Sequence, residues 1–131
     1  MAKILVHATH GPENPTRAAL ALLVAKAALE EGHTVSVFLA GDAAQLIRDA
    51  VLDSLVGLGT GRLREHFDAL CAGGVKFYVS GMSAKSRGVT ESDLAGKPAE
   101  FTSTFGMANS AGFPARSDSV TPRLFADIPE T

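Results

Sequence analysis

The residues of this 131-residue chain that could do chemistry fall into three groups. His7 and His10 close an apolar run and stand three residues apart, which raises metal binding or general-base catalysis. Cys71 is the only cysteine, so the chain can form neither an intramolecular disulfide nor a multi-thiolate metal site by itself. Residues 78–88, YVSGMSAKSRG, bring hydroxyl and basic side chains together at a glycine turn.

The hydroxyls of Ser80 and Ser83 do not fit covalent catalysis. A nucleophilic serine needs a base that a carboxylate orients, and the nucleophile-elbow pattern GxSxG is absent. Ser83 is instead expected to cap a short helix after Gly81. Lys85 and Arg87 have two interpretations, a site for an anion or a partner, or a solvated helix face.

The histidines and the cysteine have ordinary structural interpretations as well. A strand and its outgoing turn aim His7 and His10 to opposite faces, so no metal site is predicted. His10 is better placed for ligand contact or proton transfer, and it is equally compatible with a loop histidine bonded to the backbone. His66 is predicted on a helix surface. Cys71, on an apolar helix face, is expected to be a core residue with a raised pKa and little reactivity.

Composition narrows the class of protein. Hydrophobic residues make up 46% and charged residues 20% of the chain, the net charge is −2, and no block of like charge occurs. These values favour one globular domain in a reducing cytoplasm and give no support for binding nucleic acid or a membrane surface. Neither GxxxxGK[ST] nor GxGxxG occurs, and no cofactor is predicted.

Strand and helix patterns alternate over the first 80 residues. Apolar runs predict strands at 4–6, 34–40 and 75–79. Asn14 and Pro15 are expected to begin a helix that ends at Gly32, with an apolar face of Leu20, Leu23, Val24, Ala27 and Ala28. Further helices are predicted from the cap Asp42 with Leu46, Ile47, Ala50 and Val51, and over 62–72, with residues 55–61 as a flexible connection.

Beyond Gly88 the pattern weakens. The sequence TESD at 90–93 predicts a short capped helix that ends at Gly96, and residues 99–105 are expected to form a strand. Strand–helix–strand units of this length indicate an α/β fold with a mainly parallel sheet and helices on both faces. Ligands of such folds bind beyond the carboxyl ends of the strands, here at segments 9–16, 40–44 and 80–88.

Two stretches, KILVHATHGPENPTRAALAL and GGVKFYVSGMSAKSRGV, resemble the DsrE/DsrF-like family, and the similarity covers about residues 3–100. The resemblance implies a flavodoxin-like three-layer sandwich with a mainly parallel sheet of about five strands. It also implies assembly into homotrimers or homohexamers. The family-like domain spans 1–105. We expect residues 106–131 to be an atypical, partly irregular C-terminal segment of the same domain, in which either the ending is remodelled or the last strand is an atypical one at 123–126.

Better understood relatives carry a persulfide on a cysteine at the end of the third strand. Ser80 occupies that position here, and Ser83 stands where some relatives have a second cysteine. A hydroxyl cannot form a persulfide, so the resemblance implies a binding or accessory protein more than an enzyme. Its small pocket would accept a small anion or a sulfur-relay partner, and would be lined by His10, Asn14, Ser80, Met82, Ser83 and Arg87.

Three alternatives stay open. Sulfur transfer is possible through Cys71 or through the thiol of a partner subunit. An unrecognised enzyme could use His10 as a base, which leaves His10, Ser80 and Cys71 as the catalytic candidates. A purely structural or interaction role also fits the sequence.

Overall fold

The computed structural model describes residues 2–102, which form a parallel sheet with helices packed against it. The strands are β1 (Lys3–Ala8), β2 (Thr34–Leu39), β3 (Val56–Gly57), β4 (Gly61–Arg62), β5 (Lys76–Ser80) and β6 (Ala99–Thr102). The α-helices are α1 (Pro15–Glu30), α2 (Asp49–Ser54), α3 (Leu63–Ala72), α4 (Gly81–Ser86) and α5 (Glu91–Leu94), and a 3₁₀ helix spans Gly41–Ile47.

Within the described residues the main sheet has four strands in the order β1-β2-β5-β6, all parallel. This confirms the predicted α/β class. The described sheet has four strands, whereas the family resemblance implied about five. In register, Ala8 pairs with Leu39, and Leu39 pairs with Val79. The carboxyl ends of β1, β2 and β5 therefore lie side by side, and the loops that follow them are neighbours.

The central strands are buried on both faces, as their continuous apolar runs predict. Val37 and Phe38 are consecutive residues with exposed fractions of 0% and 1%, and Phe77 and Tyr78 repeat the pattern in β5. Because consecutive strand residues point to opposite faces, each face of the sheet carries a buried layer. Helices α1 and α3 pack against each other and contribute to the core on one face.

Helix α1 begins as predicted but packs through a different side. The side-chain oxygen of Asn14 accepts the N–H of Arg17 at 3.3 Å, and Pro15 occupies the first turn. The predicted apolar face was wrong in part, because Leu20 is 44% exposed. The residues that the helix buries against the domain are mainly alanines: Ala18, Ala19, Leu22, Ala25 and Ala28.

Two connections differ from expectation. The helix predicted from Asp42 is a 3₁₀ helix and a separate α2, because the backbone at Arg48 is extended with ψ of 137°. Asp42 is not its cap, since Ala40 holds that position without a side-chain bond. Residues 55–61 are not a simple flexible connection, because β3 and β4 pair there as an antiparallel hairpin.

His66 is buried rather than exposed on the helix surface. Its exposed fraction is 7%, and its Nε2 lies 2.6 Å from the carbonyl oxygen of Thr60, to which it donates. A buried imidazole needs such a partner, and the hairpin supplies it. The hydrogen bond fastens the hairpin to α3.

Beyond Gly88 the described chain follows the sequence signals. Thr90 and Asp93 form the predicted capping box of α5. The predicted strand 99–105 is present over its described part, Ala99–Thr102. Residues 103–105, the domain boundary at 105, the segment 106–131 and the strand suggested at 123–126 lie outside the described residues. In the part of the chain that is described, no helix has both the length and the hydropathy needed to cross a bilayer.

The burial of Leu22 on the inward side of α1 can be tested against Leu58, an exposed leucine outside the helix. Leu22 is 1% exposed and Leu58 is 90% exposed. We expect Leu22→Ala to lower the free energy of unfolding by about 3 kcal/mol, because it leaves a cavity in the core. Leu58→Ala should change it by less than about 0.5 kcal/mol. Urea unfolding measures both, and equal effects would contradict the assigned burial.

Candidate binding site at the carboxyl edge of the sheet

Three neighbouring loops form the carboxyl edge, and the first two are in close contact. A Cβ placed on Gly11 would lie 2.1 Å from the carbonyl oxygen of Asp42, so no larger residue fits there without a shift. The N–H of Gly11 donates to Glu13, and its carbonyl accepts the N–H of Asn14. The β1–α1 loop is therefore held against the start of the 3₁₀ helix.

Ser80 ends β5 and caps α4. Its Oγ accepts the N–H of Ser83 at 3.3 Å, as is usual for a serine before a first helical turn. The expectation that Ser83 is the cap was wrong, because the helix already begins at Gly81. Ser80 is half-buried. Its hydroxyl caps a helix, although the sequence made this residue one of the catalytic candidates.

Ser83 joins α4 to the neighbouring loop. Its Oγ accepts the N–H of Gly41 at 2.8 Å, a bond between residues 42 positions apart in sequence. Gly41 has φ of 58°, a backbone conformation that favours glycine. This hydrogen bond holds the β2 loop and the β5 loop together.

Arg87, at the C-terminal end of α4, makes a second contact between this helix and the loop after β2. Its Nε donates to Oδ1 of Asp42 at 3.0 Å, and its Nη1 donates to the carbonyl of Ser83 and the hydroxyl of Ser86. Arg48 then donates to the carbonyls of Arg87 and Gly88 and fixes the end of the loop. The interpretation of Arg87 as a solvated helix-face residue was wrong, since its side chain is 30% exposed and paired.

The edge also contains residues that the sequence did not single out. Asp42 was predicted only as a helix cap, yet it is the carboxylate partner of Arg87 and contacts the Gly11 loop. Its place in a segment at the carboxyl edge was the available signal. The role of Arg48 could not be predicted from the residues around it, because the carbonyl groups that it binds lie about 40 residues further along the chain.

The remaining predicted pocket residues lie around this network. His10 is half-buried, and among residues 2–102 the hydroxyl of Thr9, 3.4 Å from Nδ1, is the hydrogen-bonding partner of its ring. Asn14 uses its side-chain oxygen to cap α1. Met82 is 80% exposed in the first turn of α4. Ser80, Ser83 and Arg87 thus form one network, with His10 and Asn14 on the adjoining loop and Met82 facing solvent.

Cys71 lies at the other end of the domain. It is in the last turn of α3, and the next strand β5 only begins at Lys76, so it is at the opposite end of β5 from Ser80. It is half-buried beside the core and borders a cleft of about 290 Å³ that Arg64 and Lys97 also line. Burial, followed by the nearby Asp68 carboxylate, raises the pKa of the Cys71 thiol.

His7 lies within β1, whereas His10 lies in the loop that follows it. The ring of His7 stacks on Phe38 with centroids 5.1 Å apart, and burial lowers its pKa. Among residues 2–102, no three histidine, cysteine or acidic side chains come together in a way that could hold a metal ion.

The serine hydroxyls at this edge are engaged in hydrogen bonds with backbone N–H groups. The Ser80 oxygen accepts a helix N–H, and the hydroxyl of Ser83 accepts the N–H of Gly41. Neither serine has a histidine within hydrogen-bond distance in the described part of the chain, so neither is activated there as a nucleophile. What the edge offers is exposed apolar surface at Met82 beside the partly exposed guanidinium of Arg87.

The fold and the site together define a small parallel α/β domain with its candidate binding edge after the third long strand. The chain belongs to the DsrE/DsrF-like family, whose model matches residues 2–113. The structure is similar to the crystal structure of the ychN protein from E. coli, with a TM-score of 0.66 and 18% sequence identity over 86% of this chain and 95% of that one. No curated protein sequence matches this chain. The family is associated with sulfur relay.

The bond between Ser83 and Gly41 should stabilise the edge measurably. We expect Ser83→Ala to lower the free energy of unfolding by about 1 kcal/mol, because the N–H of Gly41 loses its acceptor in a partly buried setting. Ser54→Ala is the matched control, since the hydroxyl of Ser54 is exposed and should contribute less than about 0.5 kcal/mol. Indistinguishable urea midpoints for the two variants would contradict this role.

The raised pKa of Cys71 predicts slow alkylation at neutral pH. The thiolate is the reactive form, so the native protein should react with iodoacetamide more slowly than the unfolded chain at pH 7. The rate should rise with pH through a midpoint above that of the unfolded chain. A native midpoint equal to or below the unfolded one would contradict the effect of burial.

Proposed function

We propose that this protein is a non-enzymatic binding or accessory member of the DsrE/DsrF-like family that carries no persulfide at the carboxyl edge. Ser80 is the observation on which the proposal depends, because a hydroxyl that caps α4 stands at the end of β5. Oxygen cannot hold the extra sulfur atom, and this serine has no activating base among the described residues. The protein would take part in sulfur relay by binding and not by carrying sulfur.

The proposed binding surface is formed by His10, Asn14, Ser80, Met82, Ser83 and Arg87. Met82 supports a partner protein, because an 80% exposed methionine suits an adaptable apolar contact. Arg87 supports an anionic group on that partner or a small free anion, since the guanidinium is partly exposed and already donates to the carboxylate of Asp42. Lys85, exposed in the last turn of α4, adds positive charge.

We also propose that the protein acts in the cytoplasm as a homo-oligomer, a trimer or a hexamer. Its apolar side chains at the surface support association, since Leu20, Val56 and Leu58 are all at least 44% exposed. Exposed apolar patches of this kind mark contact surfaces.

Sulfur transfer through Cys71 is the second candidate. The cleft beside Cys71 supports it, because Arg64 and Lys97 line the cleft and lower the pKa of the thiol in part. Both cations are also paired with Asp49 in the same cleft. Burial opposes it, since its larger effect raises that pKa and reduces the thiolate available at neutral pH.

Incubation with a polysulfide donor followed by mass spectrometry distinguishes the candidates. We expect no adduct of one sulfur atom on the wild-type chain or on Cys71→Ser. The double variant Ser80→Cys/Cys71→Ser should gain that adduct, because it returns a thiol to the start of α4.

An adduct on wild-type Cys71 that disappears in Cys71→Ser would favour the second candidate. An adduct-free double variant would show that the edge around position 80 is not a persulfide site that has lost its cysteine. Iodoacetamide labelling of the thiol introduced at position 80 in the double variant is the control for access to that thiol.

A further inference from the structure

Helix α1 is apolar on the side that faces away from the domain as well as on the side that packs against it. Only Arg17, Lys26 and Glu30 are charged among its 16 residues. On the outer side Leu20 is 44% exposed, Leu23 is half-buried and Ala27 is exposed. A surface helix of a monomer normally carries polar residues there, so this side is suited to cover by another apolar surface.

Four residues of α1 form an outer strip, defined as Thr16, Leu20, Leu23 and Ala27. Their spacing of four, three and four residues places them on one side of a helix, opposite the buried Ala18, Leu22 and Ala25 set. The 90% exposed Leu58 extends the strip at its N-terminal end, because its N–H donates to the hydroxyl of Thr16 at 3.1 Å.

We propose that a second copy of this chain covers the outer strip, with the two α1 helices antiparallel across a two-fold axis between Leu23 and Val24. Leu20 and Ala27 are equally far from that axis on opposite sides, so the Leu20 of each copy lies against Ala27 of the other. A large residue opposite a small one allows two helices to pack closely. The strip is thus complementary to itself in reverse direction, as a two-fold interface requires.

The charges at the ends of α1 support the same arrangement. Arg17 lies in the first turn, and Glu30 and Glu31 lie at the last turn and its cap. Antiparallel pairing brings Arg17 of each copy to the two carboxylates of the other, whereas parallel pairing would bring like charges together. The ion pairs within residues 2–102 do not involve these three side chains, which are all exposed.

This interface deepens the self-association proposed above and depends on it. Of the two assemblies named there it fits the hexamer, because a cyclic trimer has no two-fold axis. It is independent of the chemistry at Ser80. In this interface, Leu20 and Leu23, which α1 does not bury in its own domain, are covered by the second copy.

Sedimentation equilibrium of the full chain tests the interface. The wild-type mass should exceed the 13.6 kDa of one chain. Leu20→Glu should weaken the association at least tenfold, because it puts a carboxylate in the centre of the strip. Ala50→Glu, which adds the same group at an exposed position of α2 outside the strip, should leave the association unchanged.

The outcomes separate the two proposals. A wild-type protein that sediments as one chain at high micromolar concentration overturns self-association itself, and the interface with it. A wild-type protein that associates while Leu20→Glu associates equally well overturns the interface alone. Equal weakening by Ala50→Glu also counts against it.

A charge exchange tests the antiparallel arrangement. Arg17→Glu alone and Glu30→Arg/Glu31→Arg alone should each weaken association severalfold, and the combined variant should return to within about threefold of wild type, as coupled partners do. Both changes place favourable charges at the ends of the helix dipole, so the helix should stay folded, which far-UV circular dichroism checks. A combined variant weaker than either alone would overturn the antiparallel pairing.

Discussion

The burial of β2 between two parallel neighbours is the constraint on which the rest of the domain depends. β1 and β5 pair with it along matching registers, and its side chains are buried on both faces. Backbone groups in such a strand have no water to bond, so the ladder must be complete. Because all three strands run the same way, the loops after them meet at one edge, and polar residues far apart in sequence become neighbours.

At that edge, hydrogen bonds between loops occupy the groups that another protein could use for chemistry. Ser80 holds the start of α4, Ser83 holds Gly41, and Arg87 holds Asp42. The Arg87–Asp42 pair is worth little alone, since it is partly exposed and screened by solvent. Together the contacts fix the relative positions of the two segments that follow β2 and β5. Met82 stays exposed on the surface that these contacts fix.

Local signals in the sequence were sufficient for the strands and for two helix starts. The apolar runs of β1, β2 and β5, the Asn14–Pro15 start and the Thr90–Asp93 box each depend on neighbouring residues only. The inward side of α1 could not be predicted, because apolar residues surround the helix and periodicity does not tell inside from outside. The ion pair between Arg87 and Asp42 could not be predicted from local patterns either, since the two residues are 45 positions apart in sequence. The burial of His66 was available in principle, since His66 shares the spacing of Leu63, Phe67 and Leu70.

Gly11 affects the geometry of the carboxyl edge although it has no side chain. It lies against the carbonyl of Asp42, and the carboxylate of the same residue orients Arg87. A Cβ at position 11 would displace Asp42, because the interior is close-packed. The displacement of Asp42 would in turn change the position of the Arg87 guanidinium that pairs with it. The absence of a Cβ at Gly11 therefore allows the β1–α1 loop to lie directly against Asp42. The chemical character of that edge is set partly by a residue that contributes no functional group to it.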